Sequence, residues 1–408
     1  MRRVVITGMG AISPFGEGVQ LLMEALTAGK SGIQQLEELT KIKGLHPTIA
    51  GKVPRYEFKS IPRKHRRTMS AMSIFAILAA NEAIAQAELT PETITNGSCG
   101  LSVSSTIGSV QALQSFFEKF LDGMSIEAIK STEFFKIMNH SCASNLAQYL
   151  GITGRVIAPS AACSTGCQTI GLAAEAIAFG KQDIMLCGGA DELHPLTVGT
   201  FDIIQAASTE YNDTPTATPR PFDKDRDGIV CSEGSGILVL ESLESAQARG
   251  ATIIAELTGF SSTSDPVNPA SPSPEAIAKC MKLALENAAV APEDVDYVNA
   301  HATGTELGDA AESAAIASLM SDGPMVSSLK GHLGHTMAAS GALEIIATAS
   351  MMKNGLVIPT RNLLDIAPEC QGIRHIQTPV RAKIRTALKN NFALGGINTS
   401  IVLRSYDD

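Results

Sequence analysis

The sequence of 408 residues contains no tryptophan, and its aromatic share is only 4%. A core built from it must rest on aliphatic and small side chains, and 44% hydrophobic residues with 35 glycines supply them. Charge is scarce too, at 18% of residues, and low charge with high hydrophobicity excludes a disordered chain. What charge there is leans acidic, with 32 Lys and Arg against 41 Asp and Glu. The resulting net charge of −9 has the wrong sign for a nucleic-acid binder. Long apolar runs are missing: none approaches the roughly 20 residues that cross a bilayer, so no membrane association is expected. Met1-Arg2-Arg3 leads into an apolar run too short for a signal peptide, which reads instead as a first strand. Eight scattered cysteines without a secretory signal are then expected to be reduced thiols in a cytoplasmic protein.

The chain is too long for one ordinary core and is expected to form two domains or two fused halves. Apolar patterning predicts strands over 4–7, 100–105, 183–187 and 236–241, and helices over 73–89, 143–150 and 166–179. Gly8-Met9-Gly10 imitates a dinucleotide fingerprint, but Ser13 stands at the third glycine, so a turn is expected there. A second turn is expected at Gly188-Gly189, and a surface loop over the Pro- and Ser-rich stretch 265–274. An internal echo gives the architecture. A strand ending in Thr-Gly opens both 4–8 and 253–259, and Gly166 and Gly180 flank an apolar helix just as Gly341 and Gly355 do. Each half closes on a hydrophobic strand, 237–240 and 401–403. These features predict a duplicated α/β fold of halves 1–250 and 251–408, joined near Arg249-Gly250.

Chemistry gathers at strand ends. Cys163 lies in Ala158-Pro159-Ser160-Ala161-Ala162-Cys163-Ser164-Thr165-Gly166, on a predicted strand-to-helix turn where a helix N-terminus favours a thiolate. His301 ends a strand in Val298-Asn299-Ala300-His301-Ala302-Thr303-Gly304-Thr305, and Lys330 ends another, with His335 five residues on. Ligands of α/β sheets bind beyond the carboxyl ends of strands, so the four can converge. Zinc held by Cys163, His301 and His335 is the metal alternative, but the spacings match no closed site and Lys330 would repel a cation. No GxSxG elbow supports a serine hydrolase. The run from Asp223 to Gly228 imitates a calcium loop, but position twelve is Gly234, not a glutamate. Arg63, Lys64, Arg66 and Arg67 form the densest basic cluster of an acidic chain, either a solvated helix start or a docking site for an acidic partner.

Four ordered stretches carry a resemblance: Ala162-Cys163-Ser164-Thr165-Gly166, the segment around His301, Lys330 with Gly334-His335, and Asn391-Phe392-Ala393-Leu394-Gly395-Gly396-Ile397-Asn398. Together they resemble the β-ketoacyl-acyl-carrier-protein synthases of the Cys-His-His type, over the whole chain. The resemblance implies a thiolase fold, with duplicated halves in a five-layer α-β-α-β-α arrangement, and a homodimer or a heterodimer with a chain-length-factor homologue. It implies that Cys163 takes an acyl chain from acyl-carrier protein and that malonyl-carrier protein loses CO2 and attacks the thioester. By the same resemblance the N–H groups of Cys163 and Leu394 form an oxyanion hole, and His301 and His335 donate to the enolate. Lys330 pairs with Glu344 to fix the His335 loop. Thr303 and Thr305 bind the pantetheine amides, Phe201 and Phe392 contact substrate, and Ile107 sets acyl-pocket depth. No bound cofactor is implied, because the phosphopantetheine arrives on the carrier, whose docking face is assigned to Arg63, Lys64, Arg66 and Arg67. Leu394 departs from the family's gating phenylalanine; Cys167 and His332 are expected to be bystanders. A non-catalytic chain-length partner would lack the nucleophile that is present here. A degradative thiolase would carry a second cysteine where Gly395-Gly396 and Asn398 stand.

Overall fold

The computed structural model describes residues 1–56, 58–268, 271–320 and 323–406. Its frame is a set of eleven strands: β1 (Val4–Ser13), β2 (Cys99–Ser104), β3 (Val156–Ile157), β4 (Ile184–Asp191), β5 (Gly234–Ser242), β6 (Ala255–Ser264), β7 (Tyr297–Asn299), β8 (Met325–Ser327), β9 (Arg374–His375), β10 (Thr386–Ala393) and β11 (Ile397–Arg404). They run in the order β9-β8-β7-β10-β11-β6-β1-β5-β4-β2-β3, and the short strand Gly16–Glu17 adds to the end of β1. Outward from β1, the pairings with β5 and β4 are antiparallel and those to β2 and β3 parallel. Outward from β6, the pairings with β11 and β10 are antiparallel and those to β7 and β8 parallel. The two sets are mirror repeats joined where β1 and β6 pair antiparallel.

The central strands are buried along almost their whole length, because helices cover both faces. Helices α1 (Ala71–Gln86) and α2 (Ser141–Leu150) cover the outside of the first set. Helix α3 (Thr165–Ala178) and helix α6 (Ala338–Asn354) lie in the middle, and α4 (Pro274–Asn287) with α5 (Glu306–Met320) covers the outside of the second. The result is five layers. Gly151 and Gly355 end their helices in the left-handed conformation.

The matched glycines meet in the middle layer. A Cβ on Gly166 would lie 2.4 Å from the Ala338 carbonyl oxygen, and one on Gly341 would lie 2.6 Å from the Cys167 nitrogen. Small residues at these positions let α3 and α6 cross at backbone contact, which brings the start of α3 beside the start of α6.

Two expectations fail for the same reason. Gly8-Met9-Gly10 is not a turn but part of β1, and Gly188-Gly189 is not a turn but part of β4. Helix backbone presses on these strands: a Cβ on Gly10 would lie 1.9 Å from the Ala79 oxygen, and one on Gly189 would lie 2.1 Å from the Ala338 oxygen. The glycines serve close approach rather than chain reversal. The expected loop over 265–274 is irregular up to α4 where described, and 269–270 lie outside the described residues. Its first residue, Asp265, is buried rather than at the surface, and its carboxylate accepts from the N–H groups of Val267 and Ser273.

Candidate active site

Cys163 sits on a single 3-10 turn, Ala162–Ser164, that runs directly into α3. Ala162 holds a φ of +46°, a left-handed backbone that is costly for a residue with a Cβ. The turn is tied to the second half of the chain. Ser164 Oγ lies 3.0 Å from the Asn391 carbonyl oxygen and 2.9 Å from that of Ile397, at the β10–β11 hairpin.

His301 follows β7, and the buried Glu312 on α5 fixes its backbone by accepting from the N–H groups of His301, at 2.9 Å, and Ala302, at 2.7 Å. His335 is held from the other side, where its N–H donates to Val230 and its carbonyl accepts from Ser232. Ser328 Oγ donates to the Ala302 carbonyl at 2.7 Å and joins the two loops. The convergence expected from the strand ends is observed: Cys163 Sγ and one ring nitrogen from each histidine all lie within 4.8 Å of one another. The two rings stand nearly perpendicular, with centroids 5.4 Å apart.

Behind the triad lies a buried charge cluster. Lys330 Nζ reaches Glu344 Oε1 at 2.7 Å, the pairing expected from the resemblance. Lys389, which sequence reasoning did not single out, reaches Glu344 Oε2 at 2.8 Å and is fully buried in β10. One carboxylate therefore serves two ammonium groups. Burial acts to raise the Glu344 pKa, but the two lysines outweigh it and hold the group below the usual carboxylate range. Burial lowers Lys330, with Glu344 opposing and Lys389 adding to the shift.

The thiol itself departs from expectation. Burial pushes Cys163 up to about 11, against the lowering pull of Lys330 and of the Leu394 N–H, so the resting group is a thiol and not a helix-stabilised thiolate. The backbone N–H groups of Leu394 and of Cys163 itself both act to lower the thiol pKa, against the burial that raises it. His335 is lowered to about 3, mainly by burial and then by Lys330, and His301 is lowered well below the ordinary value by burial, Lys330, His335 and Lys389. Both rings are neutral near pH 7.

A cleft of about 430 Å³ opens from Cys163 past both histidines. Phe201, Thr303, Thr305, Phe392 and Leu394 line it. The two threonine hydroxyls lie 3.3 Å apart, and the Phe392 ring packs edge-on to His301 at 5.9 Å. Leu394 is 39% exposed at the mouth. Ile107 does not line the cleft. It lies after β2 on the outer surface, 49% exposed, in a turn whose Gly108 is pinned against the Ile137 carbonyl. The basic cluster is a separate surface feature. Arg63, Lys64 and Arg67 are exposed, whereas Arg66 lies over the Phe58 ring at 5.3 Å. Asp223 is taken up by Arg220 and by the N–H groups of Asp225, Leu364 and Asp365, so the calcium-like run is a structural loop. His332 is buried between the carbonyls of Lys30 and Pro359 and takes no part in the cleft.

Asn391 was also missed as an individual. Its Nδ2 lies 3.2 Å from the Cys163 carbonyl oxygen and 3.1 Å from His301 Nδ1, and its Oδ1 accepts from Cys167 Sγ at 3.1 Å. The signals were a lysine and two asparagines inside an apolar strand, where each buried polar group must find a partner.

The model of the β-ketoacyl synthase N-terminal domain matches residues 1–246, and that of the C-terminal domain matches 254–364. The chain belongs to the β-ketoacyl synthase family. A 3-oxoacyl-[acyl-carrier-protein] synthase 1 from Haemophilus influenzae is 35% identical over 409 residues, covering all of both chains. A β-ketoacyl synthase crystal structure from Burkholderia phymatum superposes with a TM-score of 0.96 at 40% identity, again over all of both chains. A ketosynthase of a type II polyketide synthase, solved with its acyl-carrier protein and bound to the hexaketide, is similar at a TM-score of 0.91 and 31% identity, over all of both chains. The five layers are thus the thiolase-type fold of the ketosynthases, and the chain is a condensing enzyme of the acyltransferase class.

Proposed function

We propose that this β-ketoacyl synthase carries out decarboxylative Claisen condensation of malonyl-carrier protein with an acyl chain held on Cys163. The products are 3-oxoacyl-carrier protein, CO2 and free carrier, in fatty-acid or polyketide synthesis. The observation that carries the reading is the convergence of Cys163, His301 and His335 at the base of one cleft, backed by a buried ammonium cluster. Cys163 attacks the carrier thioester, and its own N–H with that of Leu394 receives the developing oxyanion. The carrier thiol leaves with the proton that Cys163 gives up. On decarboxylation the malonyl C–C electrons pass into an enolate, whose oxygen takes hydrogen bonds from the neutral rings of His301 and His335. The enolate carbon then attacks the Cys163 thioester, the new C–C bond forms, and the C–S bond breaks to release the Cys163 thiolate, which takes a proton from water to restore the thiol. Thr303 and Thr305 hold the pantetheine amides, and Phe201 and Phe392 flank the acyl chain. Lys330 and Glu344 position the His335 loop. No metal is needed: the Lys330 charge acts on all three convergent groups and disfavours a divalent cation among them.

Acyl-carrier protein is the proposed partner, docking at Arg63, Lys64 and Arg67 with Arg66 behind them, and it brings the phosphopantetheine arm. Dimerisation through β3 fits its place as a sheet edge with Val156 half-exposed. The mirrored strand order supports halves 1–250 and 251–408 as products of duplication. None of the described helices is long and apolar enough to cross a membrane; a cytoplasmic site of action is part of the proposal. Incubating the enzyme with malonyl-carrier protein and a panel of acyl-carrier proteins, with products read by intact mass, tests the reading. A 3-oxoacyl product two carbons longer than the primer is expected; carrier substrates returned unchanged would contradict it.

A further inference from the structure

We infer that Asn391 locks His301 as the tautomer carrying its proton on Nε2, which makes His301 a permanent hydrogen-bond donor to substrate and never a base. The inference rests on the proposed function for its chemistry, and on geometry alone for the tautomer. A backbone carbonyl only accepts. The end of the Asn391 amide 3.2 Å from the Cys163 carbonyl oxygen must therefore be the NH2 group. The opposite end agrees, since it accepts from Cys167 Sγ. The same nitrogen lies 3.1 Å from His301 Nδ1, while its third neighbour, Ser340 Oγ, is more distant at 3.4 Å. Its two hydrogens thus serve the two nearer acceptors, and Nδ1 must present its lone pair. In a neutral ring the proton is then on Nε2.

Protonating Nδ1 would set donor against donor, and flipping the amide to relieve it would set Oδ1 against the Cys163 carbonyl. The charged groups acting on this ring, Lys330 and Lys389, oppose an imidazolium as well. Neither ring nitrogen of His335, by contrast, has a hydrogen-bond partner among the described residues, so its tautomer is left for the substrate to set. Any step that needs a histidine to take up a proton therefore falls to His335. Asn391 is a positioning residue that acts through His301 and also ties that ring to the backbone of the nucleophile.

The test is a nitrogen NMR spectrum of full-length enzyme labelled with 15N-histidine, the His301 signals being identified by their loss in His301→Gln. A pyridine-type Nδ1 and a pyrrole-type Nε2 are expected, unchanged between pH 6 and 8. A pyrrole-type Nδ1 in the wild type would overturn the inference. Asn391→Asp offers a carboxylate that accepts from Nδ1 and should move the proton there. Malonyl-carrier decarboxylation should then fall roughly 100-fold, the usual effect of losing one donor to a developing oxyanion. Retention of Nε2–H in a folded Asn391→Asp variant would also overturn it; if that variant does not fold, the wild-type spectrum decides. A wild type that shows the expected tautomer but makes no 3-oxoacyl product would refute the proposed function and leave the tautomer standing.

Discussion

The buried cluster of Lys330, Glu344 and Lys389 gives a sharp test of how charge is arranged behind the site. With all three groups ionised it carries one excess positive charge, and Glu344 is within 2.8 Å of both ammonium groups. Glu344→Gln would leave two buried ammonium groups without the carboxylate they contact, with only the more distant Glu312 acting on them. Breaking a buried ion pair from one side costs about 3–5 kcal/mol, and here two pairs break together. Lys389→Met instead removes the surplus ammonium, keeps an apolar chain of similar length and leaves Lys330 and Glu344 as a balanced pair. Because replacing a buried charge with apolar volume is often neutral or stabilising, its urea midpoint should stay at or above that of the wild type. In Glu344→Gln/Lys389→Met only one ammonium remains unpaired. The double variant should recover at least ~1 kcal/mol relative to Glu344→Gln, a coupling expected of groups in direct contact. Circular dichroism along a urea titration of the four proteins measures this. A Lys389→Met loss as large as that of Glu344→Gln, or strict additivity in the double variant, would refute the shared-carboxylate reasoning.

Other outcomes follow from the same geometry. A thiol raised to about 11 gains thiolate as pH rises, so alkylation of Cys163 by iodoacetamide should climb about tenfold per unit between pH 7 and 9; a plateau below pH 8 would contradict this. Since His335 is lowered to about 3, it gains a second proton only as pH falls toward that value, and decarboxylation should lose nothing to it between pH 8 and 5. An acid-side loss centred near 6.5 that vanishes in His335→Gln would count against that assignment. His335→Ala should suppress malonyl decarboxylation more than self-acylation at Cys163, and equal losses with the fold intact would remove the division of labour. Charge reversal at Arg63, Lys64 and Arg67 should raise KM for carrier-bound substrate at low salt, with the defect shrinking as ions screen it over a Debye length of about 10 Å at 0.1 M. Equal turnover by wild type and variant at low salt would make the cluster a solvated face.

Much of the site was legible in the sequence because its parts sit at strand ends with recognisable neighbours. Cys163, His301, Lys330 and His335 needed only the rule that α/β ligands gather there, and the matched Gly166 and Gly341 announced the repeat. The glycines of β1 and β4 were misread because sequence does not distinguish a glycine that turns the chain from one that admits a helix backbone. The thiol pKa was misjudged because a helix start is visible in sequence, whereas complete burial of the sulfur is a property of packing. Ile107, assigned to acyl-pocket depth by the resemblance, is half-exposed in the single chain and does not line the cleft at Cys163. Lys389 and Asn391 were illegible as individuals: their partners, Glu344, Cys163 and His301, are from 45 to 228 residues distant in the chain.

The central claim is that Cys163 carries the acyl chain. Incubating wild type and Cys163→Ala with acyl-carrier protein, then digesting and mapping the adduct by mass, tests it directly. The structure predicts one acyl group on the peptide containing Cys163 in the wild type and none in a folded Cys163→Ala. An adduct of undiminished yield on the variant, or an acyl group mapped to Cys167 or any other residue, would contradict the account.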